Sequence, residues 1–306
     1  MNGPTAGADD FAFVDAHHHF QDYSGGHYPW LSDRNGEEKL EGDLEPIRID
    51  YGPADLQADL GAFRIAGTVH VQNGWDPKDP VAETRWLDGL AARYGRPDVI
   101  VAFADLAAGD VECVLAAQAA FGRVRGIRQI LNWHDEPRLR VAQKPDLMQD
   151  PGWRHGFALL HSFGLSFDLQ IYWPQMRMAR HLALDFPETT IVLNHFGMPI
   201  DRSDDGIGHW AAALTALAAA PNVAVKLSGF GLGHPSWTLA DTVPLLRRSL
   251  DIFGPGRVMV GSNLPVDRLF ASGRQIGEAI RAAVAGLSPS ERTAVLVGNA
   301  RRLYRF

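Results

Sequence analysis

Two histidines spaced two apart, His17 and His19 in the stretch DAHHHF, are the first candidates for chemistry in this chain. Alternate side chains of an extended strand share a face, so this pair can enter one cavity while His18 turns away. Two imidazoles on one side make half a metal site. Asp15 has the same parity, lies deeper, and can orient an imidazole through its second nitrogen. His195, closing the run IVLNHF, is the third imidazole. Neutral imidazoles suit Zn²⁺, or Mn²⁺ where carboxylate and water complete the shell, and either ion would polarise a carbonyl and acidify bound water. A hydrogen-bonded core histidine is the plain alternative at each position.

Other polar residues recur at the ends of apolar runs. Arg128, in VRGIRQIL, offers a planar fork for a carboxylate, a sulfonate or a sugar oxygen, with a structural ion pair as the alternative. Lys226, inside VAVKLSG, needs a partner or a task if its strand is buried, and a role in the cavity is expected. His70, Gln72 and Gln170 can complete a polar wall, and Trp30, Trp75 and Trp133 can stack on a ring, Trp30 being the one carried forward as a substrate contact. In GSNLPVD, Pro265 turns the chain so that Asp267 can return a carboxylate to the cavity. Asp267 is the first candidate for general base, with His195 or a metal hydroxide as substitutes, and Asn263 can position the water or the leaving oxygen.

The elements that must carry these residues are eight short apolar runs: FVDAH, GTVHVQ, VIVAFADL, VRGIRQIL, SFDLQIY, TIVLNHF, VAVKLSG and VMVGSN. Near-continuous Val, Ile and Leu runs read as parallel strands buried on both faces. Helical patterning fills the intervals, as at 82–95, 111–122 and 208–220. Eight such repeats without a nucleotide-binding glycine turn after the first predict an α/β fold, a (β/α)8 TIM barrel forming one domain over 1–306 with its core at about 13–304. Chemistry then gathers at the C-terminal strand ends, where the polar residues stand. SPSE at 288–291 reads as a capping box opening the last helical region. The loops at 20–52 and 132–151 exceed ordinary connections and are expected to cover a ligand.

Composition narrows the partners. With 29 Lys and Arg against 36 Asp and Glu, the net charge of -7 disfavours nucleic acid and anionic membranes, leaving a small molecule as the default substrate. Cys113 is the one cysteine, which rules out an intramolecular disulfide or a cysteine zinc knuckle, and its Ala-rich setting predicts a buried structural thiol. No run approaches the about 20 apolar residues of a membrane span, and MNGPTAGADDF lacks the features of a signal peptide, so a soluble, cytoplasmic protein is expected.

The motifs DAHHHF, YPWL, GWDP, GIRQILNWH, DLQIY, LNHFGMP, VKLSG, GSNLPVD and GNARRLY together resemble the amidohydrolase-2 branch of the amidohydrolase superfamily, over about residues 13–304. More narrowly they are similar to its sugar-lactone, sulfomuconolactone and pyrone-dicarboxylate hydrolases. The resemblance implies hydrolysis of the ring ester of a small lactone by activated water, with His17, His19 and His195 around a divalent ion, Zn or Mn, in some relatives and no metal in others. It also implies an Asp at the end of strand eight, where this chain has Asn263, a neutral and weaker ligand that cannot take a proton near neutral pH. A non-oxidative aromatic acid decarboxylase and a non-catalytic ligand-binding barrel are the competing readings. Analogy with such barrels leaves a homo-oligomer open.

Overall fold

The computed structural model describes residues 11–33, 39–61 and 63–306. Residues 1–10 and residues 34–38 of the long first loop, on which part of the sequence reading falls, lie outside the described residues.

All eight expected strands form. They are β1 (Ala12–His18), β2 (Arg64–Val71), β3 (Val99–Phe103), β4 (Val124–Ile130), β5 (Ser166–Gln170), β6 (Ile191–Leu193), β7 (Val223–Leu227) and β8 (Val258–Val260). Each pairs in parallel with the next, in the order β1 to β8. The circle is drawn together beyond β8, where Asn263 N–H donates to the His17 carbonyl and His19 N–H to that of Leu264, both at 2.7 Å. Gly261 permits this approach, because a Cβ there would stand 2.7 Å from the His17 backbone nitrogen. Helices fill the intervals, among them Ala82–Tyr94, Val111–Ala119 and Asp204–Ala218. The protein is thus a single-domain (β/α)8 barrel.

Strand alternation sorts the residues into two cores. Phe13, Ile100, Ile127, Phe167, Ile191, Leu193, Val225 and Val260 face outward and pack with the helices. Val14, Ala16, Val69, Val71, Val99, Val101, Val192, Ala224 and Met259 face inward. Ala300 and Tyr304 of the last helix, Asn299–Tyr304, join this inner group and plug the barrel from below. A third apolar group roofs the opposite end. Leu139, Tyr172, Met198, Leu232 and Val266 come from five different loops, with Trp30 and Leu40 of the first loop packed on them. The two long loops therefore do reach over the mouth.

The capping box forms as expected: Glu291 N–H donates to Ser288 Oγ at 3.4 Å and Ser288 N–H to Glu291 Oε2 at 2.9 Å. Cys113 corrects its expectation. The helix Val111–Ala119 buries Val111, Leu115 and Gln118, and Cys113 faces solvent.

Candidate functional site

The first strand delivers His17 and His19 inward by a route that simple alternation does not give. Asp15 pairs with Thr68 and His18 with His70, so three steps of β1 span two of β2. That bulge admits one extra residue and inverts the parity that follows it. Val14 and Ala16 face inward before it, His17 and His19 after it. Asp15 consequently faces the other way and does not orient an imidazole. Its carboxylate accepts from Ser262 N–H at 2.8 Å and Ser262 Oγ–H at 2.6 Å, a link between β1 and the chain after β8. Burial raises the Asp15 pKa to about 6 against those hydrogen bonds.

His195 arrives by a different device. Ile191 and Leu193 point outward, but His195 and Phe196 have positive φ, 52° and 42°, which swings the His195 ring into the mouth. Its ring centroid lies 4.5 Å from that of His17, which in turn is 5.1 Å from His19. Gly229, at φ 65°, leaves room for this ring, since a Cβ there would meet His195 Nδ1 at 2.4 Å. Nδ1 of His195 sits 3.0 Å from the Ser228 hydroxyl. His19 Nδ1 lies 2.7 Å from the Val71 carbonyl, which can only accept, so its proton is on Nδ1 and its lone pair on Nε2. Burial, reinforced by neighbouring positive charge, holds all three imidazoles well below the ordinary histidine pKa, and they are neutral at neutral pH.

Arg128 supplies the charge of this mouth. It is 4% exposed. Its Nη1 donates to Gln170 Oε1 at 2.9 Å and lies 3.5 Å from His17 Nε2, and its Nη2 donates to the Gln72 carbonyl. Among the described residues no carboxylate bonds it, and its Nε is buried without a partner. Burial lowers its pKa only to about 10, so it remains a cation.

At the far side, Asn263 Oδ1 is 3.2 Å from His19 Nε2, while its Nδ2 donates to Asp267 Oδ1 at 2.8 Å. The other Asp267 oxygen accepts from Phe230 N–H at 2.9 Å. Asp267 is fully buried, which raises its pKa to about 7. The expectation that Asp267 turns its carboxylate into the mouth as general base is therefore corrected: both oxygens are held, and it stands behind Asn263.

Lys226 is corrected in the same way. It points inward but downward, where Asp168 Oδ2 takes its Nζ at 2.5 Å. Asp168 also accepts from Asn194 Nδ2 at 3.0 Å and from Tyr304 Oη at 2.6 Å, so the pair forms a charge-balanced floor under the histidines. His70 lies behind the wall: its Nδ1 accepts from Phe20 N–H at 2.9 Å, and its Nε2 is 3.3 Å from Glu83. The Gln72 side chain accepts from Gly74 N–H, leaving its carbonyl to serve Arg128. Trp30 is tied to the Asn73 carbonyl at 2.6 Å within the roof. Of the expected residues, His17, His19, His195, Arg128, Gln170 and Asn263 come together. Asp168, Tyr304, Ser228 and Gln175 were not among the expected site residues, although DLQIY, GNARRLY and VKLSG contain the first three; Gln175 donates to the Leu131 carbonyl at 2.7 Å and so clamps the ends of β4 and β5.

The donor set does not fit the expected metal. Among the described residues no group of three or more His, Cys, Asp or Glu side chains is arranged to hold an ion. The neighbours explain why. His17 Nε2 faces the Arg128 guanidinium, and the strand-eight position contributes a neutral amide in place of a carboxylate.

A family model described as Amidohydrolase matches residues 14–306. Over 296 residues the chain is 40% identical to the uncharacterized protein y4mH of Sinorhizobium fredii, covering 97% of this chain and 99% of that one. Over 305 residues it is 30% identical to an L-fucono-1,5-lactonase of Burkholderia multivorans, covering 95% of each. A crystal structure of an amidohydrolase from Burkholderia multivorans with bound zinc superposes with a TM-score of 0.80 at 28% identity, covering 96% of this chain and 99% of that one.

Proposed function

The chain belongs to the amidohydrolase family, and from that premise we propose that it hydrolyses the ring ester of a small lactone. The observation that carries this reading is Arg128, a buried cation that among the described residues is bonded only to neutral acceptors, beside three neutral imidazoles. Such a cation is suited to the negative charge that develops on a carbonyl oxygen during attack by water.

In this reading Arg128 takes the lactone carbonyl oxygen. One O–H of the attacking water lies between the two acceptors His19 Nε2 and Asn263 Oδ1, which stand 3.2 Å apart. His19 removes the proton as the water oxygen bonds to the carbonyl carbon, and the carbonyl electron pair becomes an oxyanion against Arg128. Collapse breaks the ring C–O bond, and the leaving oxygen takes the proton back from His19, giving one hydroxy acid from lactone and water. Asp267 supports the transient imidazolium through the Asn263 amide.

A panel of lactones followed by pH indicator tests this. The wild-type protein is expected to acidify at least one, and Arg128→Met to lower kcat/KM by about 10²- to 10³-fold, the usual effect of removing an oxyanion donor. Absence of turnover across the panel would sink the proposal.

A further inference from the structure

The strand that carries Arg128 brings one more polar side chain to the mouth. Along β4 and just beyond it Ile127 and Leu131 join the outer core, and Gln129 faces outward to accept from Trp153 Nε1 at 2.7 Å. Arg128, Ile130 and Asn132 therefore face inward, with Asn132 the nearest of the three to the roof. Asn132 is 1% exposed. Its backbone is fixed, its carbonyl accepting from Val141 and Ala142 N–H at 3.0 and 2.9 Å. Its side chain is nearly unserved. Nδ2 donates only to the Met198 thioether at 3.4 Å, a weak acceptor, and Oδ1 is buried with no partner among the described residues.

A buried amide in this condition is costly unless something completes it. Exchanging the amide oxygen and nitrogen does not remove the problem, since one polar end faces only sulfur and the other faces nothing. The position selects what can complete it. Met198 is three residues after His195, held at φ 46°, and belongs to the roof with Leu232 and Val266. A ligand seated on Arg128 and His19 thus meets an apolar ceiling with the Asn132 amide set into it.

Resting on the lactone reading above, we propose that Asn132 is a specificity-determining residue whose amide pairs with a hydroxyl on the substrate ring. The site then takes a ring ester with a free hydroxyl and an otherwise apolar face toward the roof. A hydroxyl both donates and accepts, so it can serve whichever end of the amide it meets.

The test combines a deletion on each side of the contact. L-galactono-1,4-lactone and its monodeoxy analogues are compared in wild type and in Asn132→Leu, which conserves size and removes the polar end. In the wild type, one deoxygenation is expected to lower kcat/KM about tenfold or more, as for a buried group left unpaired. In Asn132→Leu that ratio should collapse to near one. An unchanged ratio in the variant, or no sensitive ring position in the wild type, overturns the assignment. Should Asn132→Leu fail to fold, Asn132→Ala is taken through the same series, and the same collapse of the ratio is required of it. Should the wild type open no lactone, calorimetry with the corresponding hydroxy acid and its monodeoxy forms reads the same ratio in Kd: an Asn132-dependent ratio upholds this inference while the hydrolytic reading falls, and equal affinities overturn it.

Discussion

Replacing Asp267 by Asn should change how stability depends on pH, and the structure sets the size of the effect. Asp267 is fully buried, and burial lifts its carboxyl from 3.8 to about 7. Because the folded state then binds the proton more tightly than the unfolded state, stability is highest below the unfolded pKa. It falls as pH rises from about 4 to about 7 and is level above that. A shift of about 3 units corresponds to about 4 kcal/mol in all, of which roughly 2.5 kcal/mol falls between pH 5 and pH 8. The amide introduced by Asp267→Asn cannot titrate. It also loses one of the two hydrogen bonds from Asn263 and Phe230, an effect independent of pH. Urea unfolding of both proteins at pH 5 and pH 8 isolates the titrating part, because contributions from other buried groups such as Asp15 cancel in the difference. The variant should gain on the wild type by roughly 2 to 3 kcal/mol between the two pH values. A difference that stays constant with pH would mean that Asp267 ionises in the ordinary range, and the picture of a desolvated carboxylate behind Asn263 would be wrong.

Two further outcomes are expected. Lys226→Met strands Asp168 in the barrel interior and should destabilise by about 3 to 5 kcal/mol, while Lys226→Met with Asp168→Asn should recover much of that loss; a double variant no better than the single would show that the pair is not a unit in urea titration. Exhaustive chelation should leave lactone turnover within about twofold of the untreated rate, since Arg128 rather than an ion meets the oxyanion. Loss of activity restored by Zn²⁺ or Mn²⁺ would reverse that assignment.

The barrel was legible because each buried parallel strand leaves an uninterrupted apolar run, and eight of them recur along the chain. The gathering of polar groups at one end followed from the same pattern, and His17, His19, His195, Arg128, Gln170 and Asn263 do meet there. What the pattern hides is every place where the backbone leaves its regular repeat or where a distant segment competes for a side chain. Lys226 faces inward as its parity demands, yet it turns from the mouth because Tyr304, 78 positions later, helps hold Asp168 beneath it. Asp267 is drawn behind Asn263 by the Phe230 N–H, a partner on another loop.

Reliability of the alternation rule therefore varies from strand to strand, and the reason is local. Between Asp15 and His18 an extra residue flips the parity of β1, so His17 and His19 enter the mouth while Asp15, apparently in phase with them, binds Ser262 outside it. At the end of β6, His195 reaches the site from the outward parity through a left-handed turn. Beside them, β4 keeps one-to-one register with β5 from Gly126 to Ile130. Its alternation carries through to the mouth, which is why Arg128 could be anticipated there and why the same count extends to Asn132. The side chains most securely placed by sequence are those of β4 beyond Gly126, past the strand's own register shift against β3, and it is there that Arg128 and the poorly served Asn132 amide follow one another on the same face.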